Sequence, residues 1–168
     1  MARVIAYKFL APGSVGPFTG YNWEPDRWVE AESPDVCRRG IHACRTRDLP
    51  IWLDEELWEI ELAGDVVEQA RKLVASSGRL TRRIEAWTPA LAQRFGAFCA
   101  RRTRTRVGHL PHLSGFVADV ERFVAARRIP IAGFGAARAA ELEGGPAAYE
   151  AERMAQAAWL AHELGLPQ

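Results

Sequence analysis

No stretch of the chain approaches the roughly 20 apolar residues that a bilayer-spanning helix needs. The first residues also lack the charged, apolar and small-residue order of a secretory signal. A cytoplasmic protein with no membrane association is the expectation. Cysteine is scarce: three residues, an odd number, argue against a disulfide-held secreted scaffold and for reduced thiols. Internal repeats and low-complexity linkers are absent, so nothing in the sequence asks for a second domain. Acids are few between residues 71 and 128, where 3 face 13 bases, whereas residues 1–70 hold 13 acids against 7 bases. The net charge of +1 therefore conceals a positive middle segment, which either attracts a phosphate-bearing partner or pairs with the chain's own acids.

What is present is enough for a core. At 168 residues, 48% of them hydrophobic, the chain reads as one α+β domain spanning 1–168. A small β-sheet from a β-rich half (1–87) is expected to pack with a helical half (88–168). Arg3 to Leu10 alternate as a strand with one face more buried than the other. Ala11 to Pro25 carry too many prolines and glycines for regular structure and read as a long loop, the kind that is often functional. A short strand is expected over 40–45, then a short helix over 46–53 capped by Thr46. Leu57 to Leu62 form the clearest strand, with Trp58, Ile60 and Leu62 on one face and Glu59 and Glu61 on the other. Between 66 and 86 the pattern is mixed: Val66, Val67, Ala70, Leu73 and Val74 fit helical spacing, Ser76-Ser77-Gly78 reads as a turn, and sheet is expected over 79–86. From Thr88-Pro89 the period becomes helical, with helices expected after Thr88, after Ser114, over 132–143 and over 146–164, the last two divided at Gly144-Gly145.

The densest group of reactive side chains is Cys37, His42 and Cys44. On a strand His42 and Cys44 project to one side, and with His109 or His112 as a fourth ligand the set suggests zinc. The alternative is that both cysteines are small buried hydrophobes and that His42 bonds to backbone. Glu59 and Glu61 share a strand face, where two carboxylates raise each other's pKa and act as acid and base, or else simply face water. Arg79, Arg82, Arg83, Arg94, Arg101, Arg102, Arg104 and Arg106 supply guanidinium forks suited to phosphate, without a helix-turn-helix or stacking motif beside them.

The order Cys-x-x-Gly-Ile-His-x-Cys, short helix, then Trp58-Glu59-Ile60-Glu61-Leu62-Ala63-Gly64 resembles a group of actinobacterial and phage proteins of unknown function. It is also similar to the core of ADP-ribosyltransferases of the poly-ADP-ribose polymerase type, in which a Gly-Ile-Tyr-Phe-Ala strand leads into a helix and a later strand reads roughly Gly-Glu-Val-Ala-Leu-Gly. The resemblance covers about residues 1–75. It implies that His42 stands where that family has a nicotinamide-holding tyrosine, and that Tyr7-Lys8 stand where it has a ribose-contacting histidine. The sequence departs from the family at Tyr7-Lys8, and it offers no clear counterpart of the late catalytic glutamate, Glu85 being the nearest choice.

The resemblance thus implies an ADP-ribosyltransferase-like domain, active or degenerate, that binds NAD or a related nucleotide in a cleft beside His42. In that cleft Trp23 or Trp28 would flank a flat ring, Arg39 or Arg45 would meet phosphate, and Glu59 or Glu61 would accept from a ribose hydroxyl. If it is an enzyme, the reaction is glycosyl transfer from NAD, which needs a carboxylate beside an oxocarbenium-like centre. Two other readings compete. One is a non-enzymatic protein that binds nucleic acid or a partner protein through 79–106, and the other is a zinc site at Cys37, His42 and Cys44.

Overall fold

A computed structural model of the chain describes residues 3–31 and 40–167. Cys37 and Arg39 lie outside the described residues. The fold is α+β: antiparallel strands from the first half of the chain and helices from the second. Two compact units, Met1–Trp87 and Thr88–Gln168, divide the chain where the hydrophobic period changes.

In the first unit the strands are β1 (Val4–Leu10), β2 (Val29–Glu30), β3 (Ile41–Ala43), β4 (Glu56–Glu68) and β5 (Leu73–Arg83). The sheet runs β1-β4-β5-β2, and β3 also pairs with β5. A single bridge between Tyr7 and Cys44 then ties the end of β3 back to β1. Strands β1, β4, β5 and β3 therefore close into a narrow ring, and every strand has an inside and an outside. Inside lie Ala6, Leu10, Ile41, Trp58, Ile60, Leu62, Ala75 and Leu80, with Trp23 entering from the long loop. Closure also changes β1, whose two faces are both buried at its centre: Ala6 and Leu10 point into the ring, while Tyr7 and Phe9 are covered on the outside.

A ring this narrow explains why residues 66–86 misled the sequence reading. Ser76-Ser77-Gly78 is the middle of β5, and the reversal comes at Gln69–Lys72, where Gln69 N–H donates to the Lys72 carbonyl at 2.9 Å. Gly78 is present for space. A Cβ there would lie 3.0 Å from Ile41 Cγ2 and 3.3 Å from both Ile60 Cδ1 and Leu62 Cδ2. Gly64 does have a backbone reason, since its φ of +73° sits in the register shift between Ala63 and Val66 that lets β4 run on past Leu62. Gly78→Val is accordingly expected to overpack the ring and lower stability by about 2 kcal/mol. Chemical unfolding followed by tryptophan fluorescence measures this, and an unchanged midpoint would show that the ring interior yields.

The expected helix at 46–53 is a shorter 3-10 turn, Thr46–Ile51, with Pro50 inside it. Thr46 does not cap it. Arg45 holds the position before the turn with no side-chain cap bond, and the Thr46 hydroxyl is hydrogen-bonded to the Tyr7 phenol. The long loop is ordered around one carboxylate. Glu56 accepts from Gly13 N–H (3.0 Å), Ser14 N–H (3.2 Å), Ser14 Oγ (3.3 Å) and Trp58 Nε1 (3.1 Å). Burial alone would raise the Glu56 carboxyl, but these bonds together with the Arg83 charge outweigh it and hold it below the usual carboxylate range.

The second unit comprises α1 (Pro89–Val107), α2 (Ser114–Ala125) and α3 (Ile129–Leu164). Thr88 Oγ1 accepts from Leu91 N–H at 3.1 Å, so the expected cap and first-turn proline are both in place. The third helix is interrupted at Gly145, whose φ of 77° is non-helical, and ends at Gly165 in the left-handed region. Cys99 and Phe95 are buried on α1, as the helical stripe requires, and Phe95 and Phe98 both contact the ring of Trp159.

Candidate functional site

The closing bridge of the ring positions the site. Tyr7 and Cys44 exchange backbone hydrogen bonds of 2.8 and 2.7 Å. In a continuing antiparallel ladder the next such pair would be Phe9 and His42. Instead, the His42 carbonyl accepts from Lys8 Nζ at 2.6 Å, so a side chain stands where a main-chain donor would have been. The strands part here, and the gap is a cleft of about 70 Å³. Tyr7, Lys8, Phe9, His42, Ala43 and Cys44 line it from β1 and β3, Pro17 and Phe18 from the long loop, Trp52 from the end of the 3-10 turn, and Lys72 from the β4–β5 turn. Phe18 is 86% exposed at the tip of its loop.

The cleft is electropositive and its walls are largely apolar. No carboxylate is among the described residues lining it. The Lys8 ammonium is desolvated, which lowers its pKa to about 8, and it lies 5.1 Å from the centroid of the Trp23 ring. His42 is shifted down by partial burial and then by the charges of Lys72 and Lys8. Burial, followed by the charge of Glu59, raises the Tyr7 phenol. Burial also pushes the Cys44 thiol far up, so this cysteine is an inert part of the wall.

Of the sequence candidates, His42, Tyr7, Lys8 and Cys44 come together, and the others go elsewhere. Trp23 is in the ring core and Trp28 lies against the guanidiniums of Arg3 and Arg79, so neither tryptophan lines the cleft. Arg45 is fully engaged with Asp48, Glu68 and the carbonyls of Gln69 and Ala70. Glu59 and Glu61 do share the outer face of β4, but they do not act on each other. Glu59 accepts from Thr81 Oγ1 (3.0 Å) and Arg82 (2.9 Å), whereas Glu61 is clamped between Arg79 (2.6 Å) and Arg3 (2.9 Å). The Arg79 hydrogen bond, more than any other influence, holds Glu61 below the usual carboxylate range, the reverse of a mutually raised pair.

The basic stretch is similarly committed. Arg79, Arg82 and Arg83 pair with Glu61, Glu59 and Glu56, and Arg94, Arg102, Arg104 and Arg106 pair with Glu163, Glu152, Glu121 and Glu143. Among the described residues only Arg101 of that stretch has no acidic partner. His109 and His112 are exposed in the turn between α1 and α2. No three described His, Cys, Asp or Glu side chains are gathered as a metal site requires. No helix is long and apolar enough to cross a membrane, among the described residues.

Sequence reasoning missed Trp52, Phe18 and Lys72, which reach the cleft only because the ring closes. One signal was nonetheless in the sequence. The chain has 20 arginines and only two lysines, Lys8 and Lys72, and both line this cleft.

A narrow closed antiparallel sheet with a cation-lined cleft at its seam is thus the defining feature of the first unit. The chain belongs to the family described as a domain of unknown function (DUF7666), whose match over residues 4–92 covers that unit and the start of α1. No curated protein and no solved structure matches the chain.

Proposed function

We propose that the cleft beside His42 binds the anionic or ring-bearing end of a nucleotide such as NAD, in an ADP-ribosyltransferase-like unit that holds its ligand without transferring ADP-ribose. The observation carrying this reading is the composition of the wall: His42 and the chain's two lysines beside the rings of Trp52 and Phe18, with no acid among the described lining residues. Cationic nitrogens suit phosphate or carboxylate oxygens, and aromatic faces suit a flat heterocycle. Size limits what enters. Pockets for drug-sized ligands begin near ~300 Å³, so a cleft of about 70 Å³ takes one end of a nucleotide and leaves the remainder outside.

A developing oxocarbenium ion needs a carboxylate beside it, and Glu59 and Glu61 are spent on arginines on the outer face of β4. Thermal unfolding of the full chain with NAD, ADP-ribose, AMP and inorganic phosphate tests the reading. A ligand at 100 times its Kd adds about 2.7 kcal/mol, and Lys72→Glu is expected to abolish the resulting rise in Tm. No rise at millimolar concentration of any of these compounds would falsify it.

A further inference from the structure

We propose that Lys8 is a reactive amine that condenses with a small anionic carbonyl compound, an aldehyde or a 2-oxo acid, bound in the cleft between β1 and β3. Three observations converge on it. First, Lys8 shares its strand face with Ala6 and Leu10, which point into the apolar ring, so its ammonium sits where a hydrocarbon side chain would be expected. Second, that ammonium has no ion-pair partner among the described residues. Its partners are the His42 carbonyl at 2.6 Å and the face of Trp23, neither of which takes its proton or blocks its lone pair with a counter-charge. Third, the chain uses arginine 20 times and lysine only twice, and it places both lysines here. Arginine supplies a cation equally well and binds oxyanions more firmly, but its guanidinium stays protonated and does not form imines. A cleft that only had to be positive would not need the exception.

Desolvation activates an amine for covalent chemistry, because it favours the neutral form. The depressed proton affinity of Lys8 agrees with this. Lys72 supplies the charge that attracts a carboxylate. Burial, and then the charges of both lysines, lower the proton affinity of His42. The step balances without any oxidant or reductant. The ammonium gives up one proton, its nitrogen attacks the carbonyl carbon to form a carbinolamine, and the carbinolamine takes up a proton and loses water to leave the protonated imine. The net change is ammonium plus carbonyl going to iminium plus water.

The inference does not rest on nucleotide binding, and the experiment separates the two. The full chain is incubated with glyoxylate and cyanoborohydride near neutral pH, and the reduced adducts are mapped by mass spectrometry. Only Lys8, Lys72 and the α-amino group are available as primary amines. Modification of Lys8 at least tenfold faster than Lys72 is expected, with the preference vanishing in urea, where both lysines are equally solvated. Lys8→Arg keeps the charge and is expected to remove the fast adduct while leaving the slow one on Lys72. Equal rates in the folded chain, or a slower Lys8, would overturn the proposal. A rise in Tm with NAD but no selective adduct ends the amine chemistry and leaves nucleotide binding standing, and a selective adduct with no NAD effect does the opposite.

Discussion

Replacing Arg102 with methionine is expected to destabilise the helical unit by about 3 kcal/mol, the lower end of what breaking a buried ion pair costs. Glu152 is 1% exposed on α3, and its carboxylate accepts from Arg102 Nε at 2.9 and 3.0 Å and from Arg102 Nη2 at 2.8 Å. Its next partners are poor, Gln156 Nε2 at 3.4 Å and Arg106 at 3.9 Å. The guanidinium also lies over the Phe98 ring, and its bond to Glu152 raises its pKa. Methionine keeps an unbranched stem over that ring, so the loss reports the charge rather than the packing. The lower end applies because Arg102 is about one-third exposed, which lets water share in its solvation. Unfolding in urea followed by helical circular dichroism measures the effect. The double change Arg102→Met with Glu152→Leu is expected to recover most of the loss, since replacing both partners by apolar groups is often neutral. A single-variant cost below about 1 kcal/mol would show that Gln156 and water suffice for the carboxylate.

That network illustrates what was and was not legible in the sequence. The helices were readable because their evidence is local: the apolar stripe through Phe95 and Cys99, the Thr88-Pro89 start and the break at Gly144-Gly145 all act within one or two turns. Strand β1 and the centre of β4 were readable for the same reason. The partners of Arg102 were not, because Glu152 lies fifty residues away and nothing local marks it. Ring closure had the same effect in the first unit. Gly78 carries a turn residue's identity for a packing reason, and Glu56 looks like an ordinary acid at a strand edge although it organises the long loop. The candidate site was half visible. His42, Tyr7, Lys8 and Cys44 sit on strands that the pattern located, but the resemblance attached them to Glu59, Glu61 and Trp28, which do not line the cleft, and to Trp23, which meets Lys8 from the ring core.

Lys8→Met is expected to make the folded chain more stable near neutral pH, by about 2 kcal/mol, and to flatten its alkaline pH dependence. The sign follows from the proton count. In the unfolded chain a lysine titrates at its ordinary value near 10.5, whereas in the folded ring desolvation brings Lys8 down to about 8. Below pH 8 both states hold the proton, and the folded state bears the whole cost of an enclosed charge. Between about 8 and 10.5 the unfolded chain binds the proton that the folded one has released, so wild-type stability rises with pH across that window. At 1.36 kcal/mol for each unit of pKa, the full rise is about 3 kcal/mol. Part of this is offset in the variant by the lost bond to the His42 carbonyl and the lost contact with Trp23, which leaves a net gain nearer 2 kcal/mol at pH 7. Tyr7, His42, Cys44 and Lys72 are the other titratable groups lining the cleft, and all four are unchanged in the variant. Urea unfolding at pH 7 and pH 10 for both proteins measures the difference of slopes. Equal slopes, or a less stable variant at pH 7, would mean that the ammonium is well solvated where it sits. A gain would show that the fold keeps a residue which costs it stability, at the one seam where its ring stays open. Such a cost is expected where a side chain is retained for what it binds or reacts with.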